Sequence, residues 1–203
     1  MSTWSYQDYQ SDLPTPGPAA GKSFVSRAMA YIIDTVVEIG VIFLVSIVMG
    51  VLLGLLFVLA GRQLNIDQTS SVQTTCINFA VGAIVTIAYY TLFEWLYGAT
   101  PGKLLLGFRV VKETGEPCDS GAAFVRALLR FIDGLFFGLV AYVSMKPPLY
   151  QRLGDKAAKT VVVASDDPAI REKRSFLWFV VASLIFLITA AVVSLVQLAM
   201  SIR

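Results

Sequence analysis

Histidine is absent from the 203 residues. That removes the side chain most often used as a general base and metal ligand near neutral pH, and with it any Ser/His/Asp set. Cysteine is nearly absent too. Cys76 and Cys118 are too few for a disulfide scaffold or a cysteine-rich metal site. Charge is scarce: 15% of residues are Asp, Glu, Lys or Arg, against about 25% in soluble proteins. A net charge of +2 is too small for a nucleic-acid binder. Gly98–Lys103 reads GATPGK, one residue short of a phosphate loop, with Leu104 where Ser or Thr would hold magnesium. The expectation is a protein that is not an enzyme and carries no cofactor or metal. Residues 1–23 hold no basic residue before Lys22 but include Trp4, Tyr6, Tyr9 and three prolines. They lack the plan of a signal peptide and read as a disordered cytoplasmic tail.

Apolar residues are abundant, at 56% with a mean hydropathy of +0.70. Several apolar runs of more than 20 residues place the chain in a bilayer as an all-α integral membrane protein. Phe24–Ala60 would be about 55 Å long as a helix, well beyond a hydrocarbon core of about 30 Å. Its first turns are therefore expected at the interface, with the full span near Val37–Ala60; one long helix projecting past the far face is the alternative. A second span covers Val72–Tyr97, and its Tyr89, Tyr90, Trp95 and Tyr97 suit an interfacial aromatic belt. Phe176–Met200 is a third.

Between these spans the pattern changes. Thr100-Pro101-Gly102 reads as a turn. Phe108–Val111 and Thr160–Ala164 are strand candidates able to pair as a small cytoplasmic ribbon. Asp119 or Ser120 can cap a helix. In that helix Phe124, Leu128, Phe131, Ile132 and Leu135 form an apolar face and Arg126, Arg130 and Asp133 a polar one, a pattern suited to the membrane surface. Gly134–Met145 continues it but is too short to span, and Lys146-Pro147-Pro148 ends it. Gly50/Gly54 and Gly134/Gly138 are GxxxG pairs that permit close helix contact.

Of 16 Lys and Arg residues, Lys22 and Arg27 open the first span and twelve fall between Lys103 and Arg174; Arg62 and Arg203 lie elsewhere. The positive-inside rule puts the N-terminal end and the 99–175 region in the cytoplasm. A span at 121–145 would send seven cations outward, from Lys146 to Arg174. Three spans with a dipping or in-plane helix are therefore preferred, with four spans as the alternative. Cys76 and Cys118 then lie on opposite sides.

Within the apolar runs lie carboxylates. Burying one costs roughly 2.5–3.5 kcal/mol on insertion scales. Arg27, Tyr31, Asp34 and Glu38 share one helix face, and Tyr90, Glu94 and Tyr97 form a similar stripe. Asp34, Glu38 and Glu94 are candidates to bind a proton or small cation. The architectural alternative is an ion pair locking the first helix to the cytoplasmic part, and Glu94 lies where it can reach interfacial water.

Three stretches resemble the RDD family of small membrane proteins: SRAMAYIID at 26–34, TPGKLLLGFRVVKETGEP at 100–117 and QRLGDKAAKTVVV at 151–163. They supply the family's arginine and aspartates as Arg27, Asp34 and Asp155. The resemblance covers 24–164 and leaves out the tail and the last helix. It divides the chain into a tail (1–23), an RDD-like membrane domain (24–164), and a charged loop with a C-terminal span (165–203). It implies a multi-pass protein of the bacterial inner membrane. It also implies transport of an unidentified ligand, some members looking like sodium–proton antiporters. A non-transporting scaffold or accessory subunit is the alternative. Partners would be the lipid bilayer and a second copy or another membrane protein, with no nucleic acid. Arg27 is expected to hold Asp34 and Asp155 together at the inner leaflet. Exchanging the charges of 27 and 155 is then expected to restore folding.

Overall fold

Hydrocarbon offers the backbone no hydrogen-bond partners, so an uncharged run must close its own bonds as a helix. The computed structural model describes residues 20–61 and 72–201, and it holds three helices long and apolar enough to cross a membrane. They are α1 (Phe24–Leu59), α2 (Val72–Leu96) and α7 (Phe176–Ser201). Most of the expected tail, and Arg62 and Arg203, lie outside the described residues. Between α2 and α7 the chain forms α3 (Pro101–Leu105), β1 (Phe108–Lys112), α4 (Ser120–Asp133), α5 (Leu135–Ser144), α6 (Leu153–Ala157) and β2 (Thr160–Ala164).

α1 is a single unbroken helix from Phe24 to Leu59, which accommodates interfacial first turns as well as a projection past the far face. Its buried residues, Arg27, Ala30, Asp34 and Glu38, all lie in its first half. Beyond Glu38 it presents apolar side chains outward and meets α7, where the Ser46 and Ser194 hydroxyls lie 3.0 Å apart. A Cβ built on Gly50 meets nothing within 4 Å, so Gly50 of the first GxxxG pair makes no close contact with another described part of this chain.

α2 and α7 pack through rings. Tyr89 and Phe93 sit against Phe186, and Tyr97 meets Phe176 and Phe179. The expected aromatic belt is therefore corrected: Tyr89, Tyr90 and Tyr97 are buried, and only Trp95 of the four is exposed. Their position near a helix end matched a belt, but the rings are drawn inward by one another and by the charged groups described below.

The two strand candidates pair antiparallel, Phe108 opposite Ala164 and Lys112 opposite Thr160. A lone two-stranded ribbon is marginal; this one is covered on both faces. Phe108, Val110 and Val162 pack with Ala30, Cys118 and Ala123. Val111, Val161 and Val163 pack with Ile170 and Leu149. That explains why Val161, Val162 and Val163 form a continuous apolar run and do not alternate. The ribbon with α3 and α6 makes a cap on one end of the helices. Thr100-Pro101-Gly102 opens α3 and is not a simple turn, since proline is favoured in a first helical turn.

α4 begins at Asp119, whose carboxylate accepts the Ala122 amide at 2.7 Å. It is amphipathic as expected, but its polar face meets protein and not water. Arg126, Arg130 and Asp133 are buried, while Phe124, Leu128, Phe131, Ile132 and the following Leu135 are exposed. The apolar face suits lipid, and the polar face closes on the protein. The chain breaks at Gly134 and bends again at Gly138, whose φ of +83° lies in the left-handed region that glycine tolerates.

Candidate functional site: a buried network of arginines and carboxylates

Polar stripes on two greasy helices must find each other or water. Here α1 brings Arg27, Asp34 and Glu38, α2 brings Glu94, α4 brings Arg126, Arg130 and Asp133, and the cap adds Lys103, Arg152 and Asp155. Asp155 is the hub. Its Oδ2 lies 2.5 Å from Arg27 Nη2 and accepts the Arg152 amide at 2.9 Å. Its Oδ1 pairs with Arg126 Nη1, and Arg152 Nε stands 3.8 Å from Oδ2. Arg27 also donates to the Tyr150 carbonyl at 2.9 Å.

Arg126 links this hub to a second one. Its Nε donates to Glu94 Oε2 at 2.6 Å, and its Nη1 also reaches the Thr160 hydroxyl at 2.6 Å. Glu94 pairs besides with Lys103 and, at 3.5 Å, with Arg130. The Arg130 guanidinium lies over the Tyr90 ring, 3.4 Å from its centroid. Asp133 receives the Leu153 and Gly154 amides at 3.2 and 3.4 Å and stands 4.0 Å from Arg152. Five cations thus share three carboxylates in one connected set. Burying ions is costly, and only dense pairing and hydrogen bonding offset it.

Asp34 is separate. It accepts the Thr100 hydroxyl at 2.6 Å, the Gly102 amide at 2.7 Å and the Tyr89 hydroxyl at 3.2 Å. The expected cluster of Arg27, Asp34 and Asp155 is therefore a pair plus a separate anchor. Arg27 crosses to Asp155, and Asp34 holds the start of α3. At ~10 Å along the axis from Arg27, Asp34 is better served by donors at its own depth. Glu38 accepts the Thr86 hydroxyl at 2.7 Å. Glu94 does not reach interfacial water: it is fully enclosed, because α4 covers it. Tyr31, on the same stripe as Arg27 and Asp34, is half exposed.

Surroundings set the proton equilibria of the cap. Burial alone would raise Asp155, but Arg126, Arg27 and Arg152 outweigh it and hold the carboxyl well below its usual range. Burial, opposed by Glu94, brings Lys103 down to about 8. Burial, with Arg27 beside it, lowers Arg152 to about 9. Burial pushes the Cys118 thiol up to about 12, so it is a core side chain and not a reactive one.

Lys103, Arg126, Arg130, Asp133 and Arg152 were not among the sequence-level site residues. One signal was present: Arg126, Arg130 and Asp133 recur at the same helical spacing as the α1 stripe. Two such stripes in apolar surroundings are complementary surfaces.

The fold and site define a small multi-span membrane protein whose helices are tied to a strand-bearing cap by buried ion pairs. The chain belongs to the RDD family, whose model matches residues 22–202. That match takes in the last helix, which the three-motif resemblance had left out. Neither a curated protein nor a solved structure matches the chain.

Proposed function

We propose that this is a non-enzymatic protein of the bacterial inner membrane, with its amino-terminal end and cap in the cytoplasm, and that it is a scaffold or accessory subunit. One observation carries the preference over a proton or cation carrier. Two of the three carboxylates a carrier would use are already engaged. Asp34 has three donors supplied by the protein, and Glu94 pairs with three cations. A carrier carboxylate must exchange its partner for the moving ion, and these would leave buried donors and arginines behind. The network is instead suited to holding α1, α2, α4 and the cap in one arrangement against a second copy or another membrane protein.

A second reading rests on Glu38. It accepts a single side-chain hydrogen bond, from Thr86, and so keeps acceptor capacity. A transport path would run past this residue. Purified protein in proteoliposomes separates the two. The scaffold reading expects no proton or sodium flux above empty vesicles, and a membrane partner that co-purifies in fixed ratio. Flux that Glu38→Gln abolishes in a folded protein would overturn it.

A further inference from the structure

A cavity of about 530 Å³ opens beside the network, between α1 and the α4–α5 hairpin. That is within the ~300–1,000 Å³ usual for ligand sites. Its walls divide by chemistry. Arg27, Arg130 and Arg152 line one part with a single carboxylate, Asp133, which already receives two backbone amides. Phe24, Ala28, Ile32 and Met145 line the other.

The arginines there are not all used. Arg130 is 8% exposed, and its Nε has no hydrogen-bond partner. Its link to Glu94, at 3.5 Å, is long. Arg152 Nε has no hydrogen-bond partner either, standing 3.8 and 4.0 Å from Asp155 and Asp133. A buried donor left unmade costs roughly 1–3 kcal/mol, and more on a charged group. Two arginines that each carry such a donor line one cavity, and their charge suits an anion. The apolar wall belongs to a membrane helix, and Ile32 on it is more than half exposed to the surroundings of that helix. The occupant therefore needs an anionic head and a hydrocarbon part.

We propose that this cavity binds one anionic phospholipid, its phosphate seated on Arg130 and Arg152 and an acyl chain lying along Phe24, Ala28 and Ile32. Arg27 stays with Asp155 and adds its field. The lipid completes the donors that the protein leaves open. This goes beyond the scaffold reading, and either can fail without the other.

The test is native mass spectrometry of the full chain in detergent, titrated with phosphatidylglycerol or phosphatidylcholine of identical chains, and separately with inorganic phosphate. Phosphatidylglycerol is expected to bind about tenfold or more tighter than phosphatidylcholine. Arg152→Gln is expected to weaken it about fivefold, the equivalent of about 1 kcal/mol per basic residue. Ala28→Phe changes no charge but fills the apolar wall. It is expected to lower lipid retention in a protein whose thermal stability is kept, so the idea stays testable if Arg152→Gln does not fold. Equal binding of the two lipids overturns the proposal, as does retention unchanged by Ala28→Phe. Inorganic phosphate competing at the lipid's own affinity would overturn it in favour of a soluble anion.

Discussion

A carboxylate among three guanidiniums has one stable state at neutral pH. Asp155 faces Arg27, Arg126 and Arg152, and its depressed folded value makes it a source of pH-dependent stability. The unfolded reference is 3.8. A folded value below that means the unfolded chain takes up the proton first. The stabilisation is therefore complete above the unfolded value and is lost as pH falls below it. The thermal unfolding temperature in detergent is expected to drop on acidification below about 4, and Asp155→Asn should remove Asp155's share of that dependence. The same substitution leaves Arg27 buried without its carboxylate partner and Arg126 with Glu94 alone, and is expected to cost about 3–5 kcal/mol. Exchanging the charges of Arg27 and Asp155 fares no better. An arginine at 155 would face Arg126 and Arg152, so Arg27→Asp with Asp155→Arg is expected to remain as unstable as either single variant, although the pair is direct. Rescue in a melting experiment would show that Arg126 and Arg152 are not neighbours of 155.

At the scale of elements, the short helix α3 explains the sequence TPGK. Its first amide must reach Asp34 on α1, and only a residue without a side chain allows the approach. A Cβ at Gly102 would lie 2.3 Å from the Ala30 carbonyl oxygen and 2.9 Å from Asp34 Oδ1. The Ala30 oxygen is backbone and cannot move without bending α1. Gly102→Ala is expected to destabilise by about 1–3 kcal/mol or more. Gly121→Ala, whose Cβ would meet only Asp119 Oδ1 at an ordinary 3.5 Å, should be near neutral. Equal melting temperatures for the two variants would refute the contact. Elements differ in how far the sequence reveals them. β1, β2 and the cap at Asp119 were legible because β-branched runs and an N-cap are local signals. The role of Gly102 was not, because it is set by a residue 68 positions away. The α4 stripe was legible as a stripe, but its direction was not. Amphipathicity fixes two faces, and whether the polar one meets water or protein depends on what lies opposite. Glu94 and Asp155 lie opposite, and they turned it inward.

For the whole molecule, the decisive feature is that the α4–α5 segment returns to where it began. Asp119, before α4, pairs with Lys112 of β1 at 2.6 Å. At the far end of α5 the Ser144 carbonyl accepts from Lys156 of α6 at 2.8 Å. Both ends are thus fastened to the cap, and α5 at ten residues is about 15 Å long, half a hydrocarbon core. The cation distribution pointed to the same path, since a crossing there would place Lys146 and its successors on the wrong side. Surface labelling checks the proposed orientation. Thr114, exposed in the turn after β1, replaced by cysteine in a Cys76→Ser background, reports on the cap. Native Cys76, exposed near the start of α2, reports on the opposite end of that helix. A membrane-impermeant maleimide added to intact cells is expected to label Cys76 in the parent and to spare Thr114→Cys until the cells are opened. Labelling of Thr114→Cys in intact cells would place the cap outside. Buried Cys118 should stay unlabelled on either side until the protein unfolds, because it is enclosed between the ribbon and α4.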